Sequence, residues 1–108
     1  MSQTIAIILT FRREDAPQFE AMFKAEVYPL WEEFKSQGKV TSASLTPAQV
    51  GTVDTTEFIE YILHLEVPGL EDHNAFDSDP RFLEFLKKAQ PMQPEEPKVW
   101  FGDTLLQV

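Results

Sequence analysis

Residues 57–89 read EFIEYILHLEVPGLEDHNAFDSDPRFLEFLKKA and combine a strand pattern with an interrupted helix pattern. In the first part, alternate positions are apolar: Ile59, Tyr61, Leu63, Leu65 and Val67. An apolar period of two predicts a β-strand over Glu57–Val67. Pro68 and Gly69 end this strand, because proline cannot donate to the ladder and glycine turns freely.

The second part of the stretch predicts two helical segments. Leu70–Phe76 has the pattern of a short helical turn. Asp79 and Pro80 then predict a new helix start, because aspartate caps a first turn and proline at the first helical position has no hydrogen bond to lose. Helical spacing continues this segment to Gln90 through Phe82, Leu83, Phe85, Leu86 and Ala89.

The N-terminal third predicts a strand and a long helix. Thr4–Arg12 is largely apolar at both alternating sets of positions, which is typical of a strand covered on both faces. Asp15 and Gln18 predict a capping box for a helix that extends to Gly38. The apolar stripe of this helix is Phe19, Met22, Phe23, Val27, Leu30, Trp31 and Phe34. Pro29 removes one helical hydrogen bond, so a kink is expected in the turn before it.

The remaining segments predict two more strands and their connections. A weaker strand is expected over Val40–Leu45, followed by a long or bulged hairpin connection over residues 46–56. Residues 91–97 are too rich in proline for a helix or central strand and predict a loop. Lys98–Phe101 predicts the last strand. The apolar tail Thr104–Val108 is expected to pack on its own sheet or to cross to a partner as an added strand.

The element order is therefore β-α-β-β-α-β, and residues 1–108 are expected to form one α+β domain. On a single sheet this order gives the ferredoxin-like arrangement, a four-stranded antiparallel sheet with two helices on one face. Odd-numbered positions should meet the helices: Ile5, Ile7, Leu9, Ile59, Tyr61, Leu63, Leu65, Val99 and Phe101. Even-numbered positions are left open and include Ala6, Ile8, Phe58, Ile62 and Trp100. So much apolar area on an open sheet predicts a homodimer through this face.

Composition and charge exclude several partners. The 108 residues include no cysteine, which excludes disulfides, thiolate metal ligands and cysteine nucleophiles. No apolar run approaches the roughly 20 residues of a membrane span, so a soluble cytoplasmic protein is expected. The formal net charge is −9, and residues 40–80 contain no lysine or arginine. Such acidity predicts that neither nucleic acid nor a membrane surface is a partner.

A resemblance to a known family rests on this order and a short motif. Tyr28 and Pro29 lie near the end of the first predicted helix. The second helix carries the pattern Asp72-His73-x-x-Phe76-x-x-Asp79-Pro80-x-Phe82-x-x-Phe85. Together these features resemble the dimeric α/β-barrel superfamily, in its antibiotic-biosynthesis-monooxygenase-like and stress-responsive branches. The resemblance implies a homodimer whose two sheets face each other, with a small-molecule cavity between sheet and helices in each subunit.

Activities differ within that superfamily. Many members have none assigned, whereas others are cofactor-free oxygenases of aromatic polyketides or degrade haem. The haem-degrading branch uses an asparagine on the first strand and a tryptophan on the third, and this chain has neither at those strands. Haem degradation is therefore not expected, and no cofactor is predicted.

Two histidines are the candidate catalytic residues. His64 follows Glu60 on the mixed side of its strand and could act as a base oriented by that carboxylate. Alternatively, it is a histidine hydrogen-bonded across the dimer. His73, near the start of the second helix, approximates a histidine of some members of the superfamily. The alternative for His73 is a surface residue among acids.

Aromatic side chains predict a ligand pocket. The candidate ligand-binding residues are Trp31, Phe34, Glu60, Tyr61 and Trp100. The alternative is that the aromatic members are core. No metal site is predicted, because the acids and histidines lack the spacing of a ligand set. Two functions remain open: a dimer that binds a small, largely apolar or aromatic molecule and oxidises or isomerises it without a cofactor, or a non-enzymatic dimeric barrel with a binding or structural role.

Overall fold

The computed structural model describes residues 2–52, 54 and 56–108, which form four strands and four α-helices. In chain order the elements are β1 (Gln3–Arg12), α1 (Ala16–Glu26), α2 (Tyr28–Ser36), β2 (Ser42–Pro47), β3 (Phe58–Val67), α3 (Leu70–Asp77), α4 (Pro80–Ala89) and β4 (Lys98–Asp103). Short 3₁₀ turns at Arg13–Asp15 and Gln90–Met92 precede α1 and follow α4. No helix in this described part is long and apolar enough to cross a membrane.

The four strands form one antiparallel sheet in the order β2-β3-β1-β4. Counting each kinked or interrupted helix as one unit, this is the ferredoxin-like β-α-β-β-α-β fold, and the predicted fold class is confirmed. The register places Ile8 opposite Ile62, and Ala6 opposite both His64 and Trp100. Since directly paired residues share a face, the even-numbered residues of β1, β3 and β4 lie together on the face away from the helices.

The core lies between the sheet and the helices. On β1 and β3 its buried residues include Ile5, Tyr61, Leu63, Leu65 and Val67. The helices contribute Phe19, Phe23, Leu30, Trp31, Phe34, Phe76 and Phe85. The predicted inward set of β1 and β3 is therefore confirmed. For β4 the predicted burial is wrong, because Val99 and Phe101 are 50% and 61% exposed on an edge strand, although Phe101 contacts His73 of α3.

Val27 separates α1 from α2, where one kinked helix was expected. The Val27 N–H donates to the carbonyl of Phe23, and the Trp31 N–H donates to the carbonyl of Val27, each over 2.9 Å. Pro29 has no N–H to offer Ala25, which removes the hydrogen bond between these two. The break at Val27, called the α1–α2 bend below, lies in the turn where the kink was predicted.

The two predicted helix caps have different outcomes. Asp79 is confirmed as the cap of α4: its backbone is extended, and its carboxylate accepts the Arg81 N–H at 2.8 Å. The capping box at Asp15 is wrong, since this residue has helical φ and ψ angles and its side chain caps nothing. The 3₁₀ turn before α1 already begins the helical path, so Asp15 does not have the extended backbone that a capping residue needs.

β2 starts two residues later than predicted, at Ser42 instead of Val40. Ser42 pairs with Glu66, so the same register would set Val40 against Pro68, which cannot donate to the ladder. Val40 is instead buried beside the end of α2. β4 extends beyond its predicted end to Asp103, which pairs with Gln3. Within the predicted connection over residues 46–56, Val53 and Thr55 lie outside the described residues.

The C-terminal tail does not pack its leucines on its own sheet. Leu105 and Leu106 are 90% and 87% exposed, so that half of the expectation is wrong for the single chain. Polar groups hold the tail instead, through a 3.0 Å hydrogen bond from the Thr104 N–H to the Ser2 carbonyl and a 2.7 Å contact between the Thr104 and Thr4 hydroxyls. Crossing of the tail to a partner stays a prediction.

Candidate functional site

A pocket of about 580 Å³ lies between the α1–α2 bend and the β2–β3 side of the sheet. Its lining residues are Glu20, Phe23, Lys24, Tyr28, Trp31, Leu45, Pro47 and Tyr61. β2 is a short edge strand, and the helix layer above it is interrupted at Val27. The gap between these two irregular elements is the pocket. Its walls are mainly aromatic and aliphatic, with one carboxylate and one ammonium group.

Trp31 forms a rigid wall of the pocket. The indole is only 7% exposed and meets the ring of Phe23 edge-on at 5.0 Å between centroids. Phe23 in turn contacts Phe85 edge-on at 5.6 Å. Because these rings hold one another, the indole does not need a ligand to fix its orientation. The α1–α2 bend sets the position of Trp31, because the backbone N–H of Trp31 donates to the Val27 carbonyl.

Tyr61 and Glu20 form the polar part of the pocket. The Tyr61 hydroxyl donates a 2.5 Å hydrogen bond to Glu20 Oε2, joining β3 to α1. The Tyr61 ring is fully buried and meets the rings of Phe19 and Phe11 at 5.0 and 5.8 Å. Burial, reinforced by the hydrogen bond to Glu20 and its negative charge, raises the pKa of Tyr61 above its ordinary value of 10.0. The phenol therefore stays protonated at neutral pH and acts as the donor to Glu20.

Glu20 and Lys24 line the pocket but were not among the predicted ligand-binding residues. They lie four residues apart on α1, so both project from one side of the helix toward the pocket. One signal was available for Glu20. A buried tyrosine needs a partner for its hydroxyl, and a carboxylate beside the apolar stripe of the first helix is a suitable acceptor.

Of the five predicted ligand-binding residues, the structure brings Trp31 and Tyr61 together in this pocket. Phe34 does not line it. It is buried one turn further along α2, edge-on to Phe76 at 5.3 Å, with the Lys39 ammonium 5.6 Å from its ring centre. Glu60 and Trp100 lie on the opposite, open face of the sheet.

His64 also lies on the open face, in one cross-strand row with Ala6, Ser44 and Trp100. It lies four positions along the extended strand from Glu60, a distance of about 13 Å. Glu60 therefore does not orient the imidazole within one chain. A hydrogen bond from His64 across a dimer, the alternative from the sequence, stays a prediction, as does a catalytic role.

His73 lies at a different place again, between α3 and the beginning of β1. It is 7% exposed, which makes the alternative of a surface residue wrong. Its Nε2 is 3.0 Å from Asp77 Oδ2, and its Nδ1 is 3.4 Å from Gln3 Oε1. The ring of Phe101 meets the imidazole edge-on at 5.2 Å. These contacts tie α3 to two strands, away from the pocket, and a catalytic role for His73 stays a prediction.

The titratable side chains do not form a metal centre in the part of the chain that the structure describes. No three histidine, aspartate or glutamate side chains there are close enough to hold one ion. His73 and Asp77 form a pair without a third ligand.

Comparison with known proteins supports the fold alone. The sequence matches no protein-family model and no curated protein. Among solved structures, it is similar to a dimeric ferredoxin-like protein of unknown function from Jannaschia sp. CCS1, with a TM-score of 0.77 and 11% identity over 96% of this chain and 100% of that one.

Two oxygenases have similar structures. SnoaB, a cofactor-independent oxygenase from Streptomyces nogalater, superposes with a TM-score of 0.70 and 13% identity over 99% of this chain and 96% of SnoaB. An antibiotic biosynthesis monooxygenase superposes with a TM-score of 0.66 and 15% identity over 98% of this chain and 100% of that one. The resemblance drawn from the sequence is thus confirmed at the level of the fold: the chain is a ferredoxin-like protein with the architecture of these oxygenases.

Proposed function

We propose that this protein is a homodimer and that each subunit binds a small, largely apolar molecule in the pocket beside Trp31. The observation that carries the proposal is the pocket itself. Its volume of about 580 Å³ falls within the range of about 300–1,000 Å³ that is usual for small-molecule sites. Such sites typically have apolar walls and few polar groups, as this one does.

The composition of the walls defines the kind of molecule. Phe23, Trp31 and Leu45 offer flat and aliphatic surfaces, and burying an apolar ligand against them gains roughly 25 cal/mol for each Å² removed from water. The Phe23 and Trp31 rings already have neighbours that fix them, so little side-chain entropy is lost on binding. A planar aromatic ring system fits these surfaces.

The homodimer is proposed from the open face of the sheet. This face carries exposed apolar side chains next to Ile8: Trp100 is 73% exposed, Ile62 44% and Phe58 36%. An apolar sheet face of this kind is stabilised when it is covered. A second copy covers it most simply, because a two-fold axis brings the same patch of each chain together. The similar protein from Jannaschia sp. CCS1 is dimeric, which supports this assembly.

A second candidate function is oxygenation of the bound molecule without a cofactor. The similarity to SnoaB, a cofactor-independent oxygenase, favours it over binding alone. Oxygen uptake should then depend on a phenolic ligand and stop when the pocket is blocked. If a ligand binds in the pocket and no oxygen is consumed, the non-enzymatic binding role is the function.

Titration with naphthol tests the binding proposal. We expect saturable binding, followed by calorimetry, and we expect Leu45→Trp to weaken it at least about tenfold, because the larger side chain fills the pocket. Leu83→Trp is the matched control: Leu83 lies on α4, outside the pocket lining, and is 44% exposed. Equal affinities in the two variants would show that naphthol binds elsewhere.

A further inference from the structure

We propose that Glu20 selects the polar group of the ligand: the pocket takes a neutral molecule with a hydroxyl group and rejects its carboxylate and ether counterparts. Tyr61 is the positioning residue that holds Glu20 for this contact. The inference rests on the proposed function, since it concerns ligands of the same pocket.

The hydrogen bonds of Glu20 leave one of its oxygens available. Oε2 accepts the Tyr61 hydroxyl, while Oε1 has no hydrogen-bond partner among the described residues. An ionised carboxylate is an acceptor and can take bonds at both oxygens. Glu20 lines the pocket and is half-buried. A ligand in the pocket therefore meets a carboxylate that Tyr61 holds through Oε2 and whose Oε1 can still accept a hydrogen bond.

Tyr61 is not a competing donor to the ligand. Its proton is engaged by Glu20, and the ring is held by Phe11 and Phe19, so the hydroxyl cannot turn toward the ligand without losing a hydrogen bond to a charged group. Such bonds are about twice as strong as neutral ones. The Tyr61–Glu20 pair therefore presents a hydrogen-bond acceptor to the ligand.

Lys24 is the one other charged group in the pocket lining, and it would favour the opposite kind of ligand. Its side chain is exposed, whereas Glu20 is half-buried against the apolar walls. An exposed ammonium is well hydrated and screened by salt, so it attracts a ligand carboxylate weakly. Close to Glu20, the same carboxylate meets like charge with less screening. The exposed Arg13 guanidinium also acts on the pair, but it lowers the pKa of Tyr61 less than burial and Glu20 raise it. We therefore expect repulsion from Glu20 to outweigh attraction by Lys24 and Arg13.

Three ligands with one ring system test the selection. Naphthol offers a hydroxyl, methoxynaphthalene has an ether that cannot donate, and naphthoate carries a negative charge. We expect naphthol to bind about tenfold or more tightly than methoxynaphthalene, a difference of about 1.4 kcal/mol, and naphthoate to bind more weakly than either. Equal affinity for naphthol and its ether overturns the inference, and so does tightest binding of naphthoate, which would assign the selection to Lys24.

Variants assign the preference to the two residues. In Glu20→Met the preference of naphthol over the ether should fall to within about threefold, because the pocket then lacks the acceptor and the oxygens of both ligands can accept from the freed Tyr61 hydroxyl. Glu26→Met is the matched control, because Glu26 is on the same helix and bonds Lys88 away from the pocket. In Tyr61→Phe the preference of naphthol over the ether should fall severalfold, while the affinity for the ether should not change. If Tyr61 had a purely structural role, Tyr61→Phe would bind both ligands more weakly by the same factor, and this result would overturn the positioning assignment.

Two features of the design keep the outcome interpretable. If Glu20→Met fails to fold because it leaves the buried Tyr61 hydroxyl unpaired, the double variant Glu20→Met/Tyr61→Phe removes both partners, a change that is often nearly neutral for stability. Failure of the proposed function appears as absence of binding, or as binding that Leu45→Trp does not weaken. Failure of the present inference appears as binding that Leu45→Trp does weaken, but without selection among the three ligands.

Discussion

Replacing Tyr61 by phenylalanine isolates the hydrogen bond that ties β3 to α1 at the pocket. The ring and its contacts with Phe11 and Phe19 are retained, and the 2.5 Å bond to Glu20 is lost. A hydrogen bond to a charged group contributes about 1.5–3 kcal/mol. Glu20 is half-buried and recovers part of its hydration, so we expect the variant to be less stable by about 1–2 kcal/mol near neutral pH. With a urea dependence of about 2 kcal/mol per molar, the unfolding midpoint should fall by about 0.5–1 M.

The same bond predicts a pH dependence. Burial, with Glu20 adding to it, raises the pKa of Tyr61 in the folded protein above 10.0. The folded state thus favours the neutral phenol, and this contribution is fully present below about pH 10, the value of the unfolded chain. It is lost as the pH rises above that value toward the higher pKa of the folded state. The stability difference between wild type and Tyr61→Phe should therefore shrink from about pH 10 upward.

Urea unfolding of both proteins across neutral and alkaline pH measures this difference. Tyr28→Phe is the control, because Tyr28 is the other tyrosine of the chain, is 52% exposed and is expected to change stability by less than about 0.5 kcal/mol. It also leaves Tyr61 as the one tyrosine whose ionisation appears in the absorbance spectrum. Equal stability of wild type and Tyr61→Phe, or ionisation of Tyr61 in the folded protein at its ordinary pH, would refute the reasoning.

Three further substitutions test the assembly and the fold. Ile62→Glu would bury an unpaired charge on the open face and should dissociate or unfold the dimer, whereas Leu83→Glu, at the same 44% exposure on α4, should not; sedimentation of wild type as a stable monomer would end the proposal of a dimer. Asp79→Ala removes the cap of α4 and should cost about 1 kcal/mol in urea unfolding, and no measurable loss would show that the cap contributes little to stability. His73→Ala leaves a gap beside Phe101 and removes the contacts of the imidazole with Gln3 Oε1 and Asp77, so we expect a loss of about 1–3 kcal/mol by thermal unfolding, and a neutral result would mean that these contacts contribute little.

The fold was predictable because its signals are local and agree with one another. The alternation from Ile59 to Val67 defines β3, and Asp79 with Pro80 defines the start of α4. The kink before Pro29 follows from covalent structure alone, since proline has no N–H. Errors occurred where a neighbouring element decides the outcome. Val40 looks like the start of a strand, but its partner in the register would be Pro68, a relation that no local pattern contains.

The pocket was only half predictable for a similar reason. Trp31 and Tyr61 were identified as aromatic candidates, and the structure brings them together across α2 and β3. Glu20 was missed because a single glutamate on a helix surface resembles many solvated ones. Its role becomes visible once the register of β3 and the position of α1 place it against the Tyr61 hydroxyl.

The candidate residues of the open face show the limit of reasoning from one chain. His64, Glu60 and Trp100 share that face, and none of them lines the pocket. Their surroundings in a homodimer depend on the second copy, whose packing no pattern within one sequence specifies. A role for these residues across the interface therefore stays a prediction.

A crystal structure of the wild-type protein with naphthol tests the central claim most directly. We predict electron density for the ring system against Trp31, between the α1–α2 bend and β2, with the naphthol oxygen within hydrogen-bonding distance of Glu20. Density on the open sheet face near Trp100, with none in the pocket, would contradict the account.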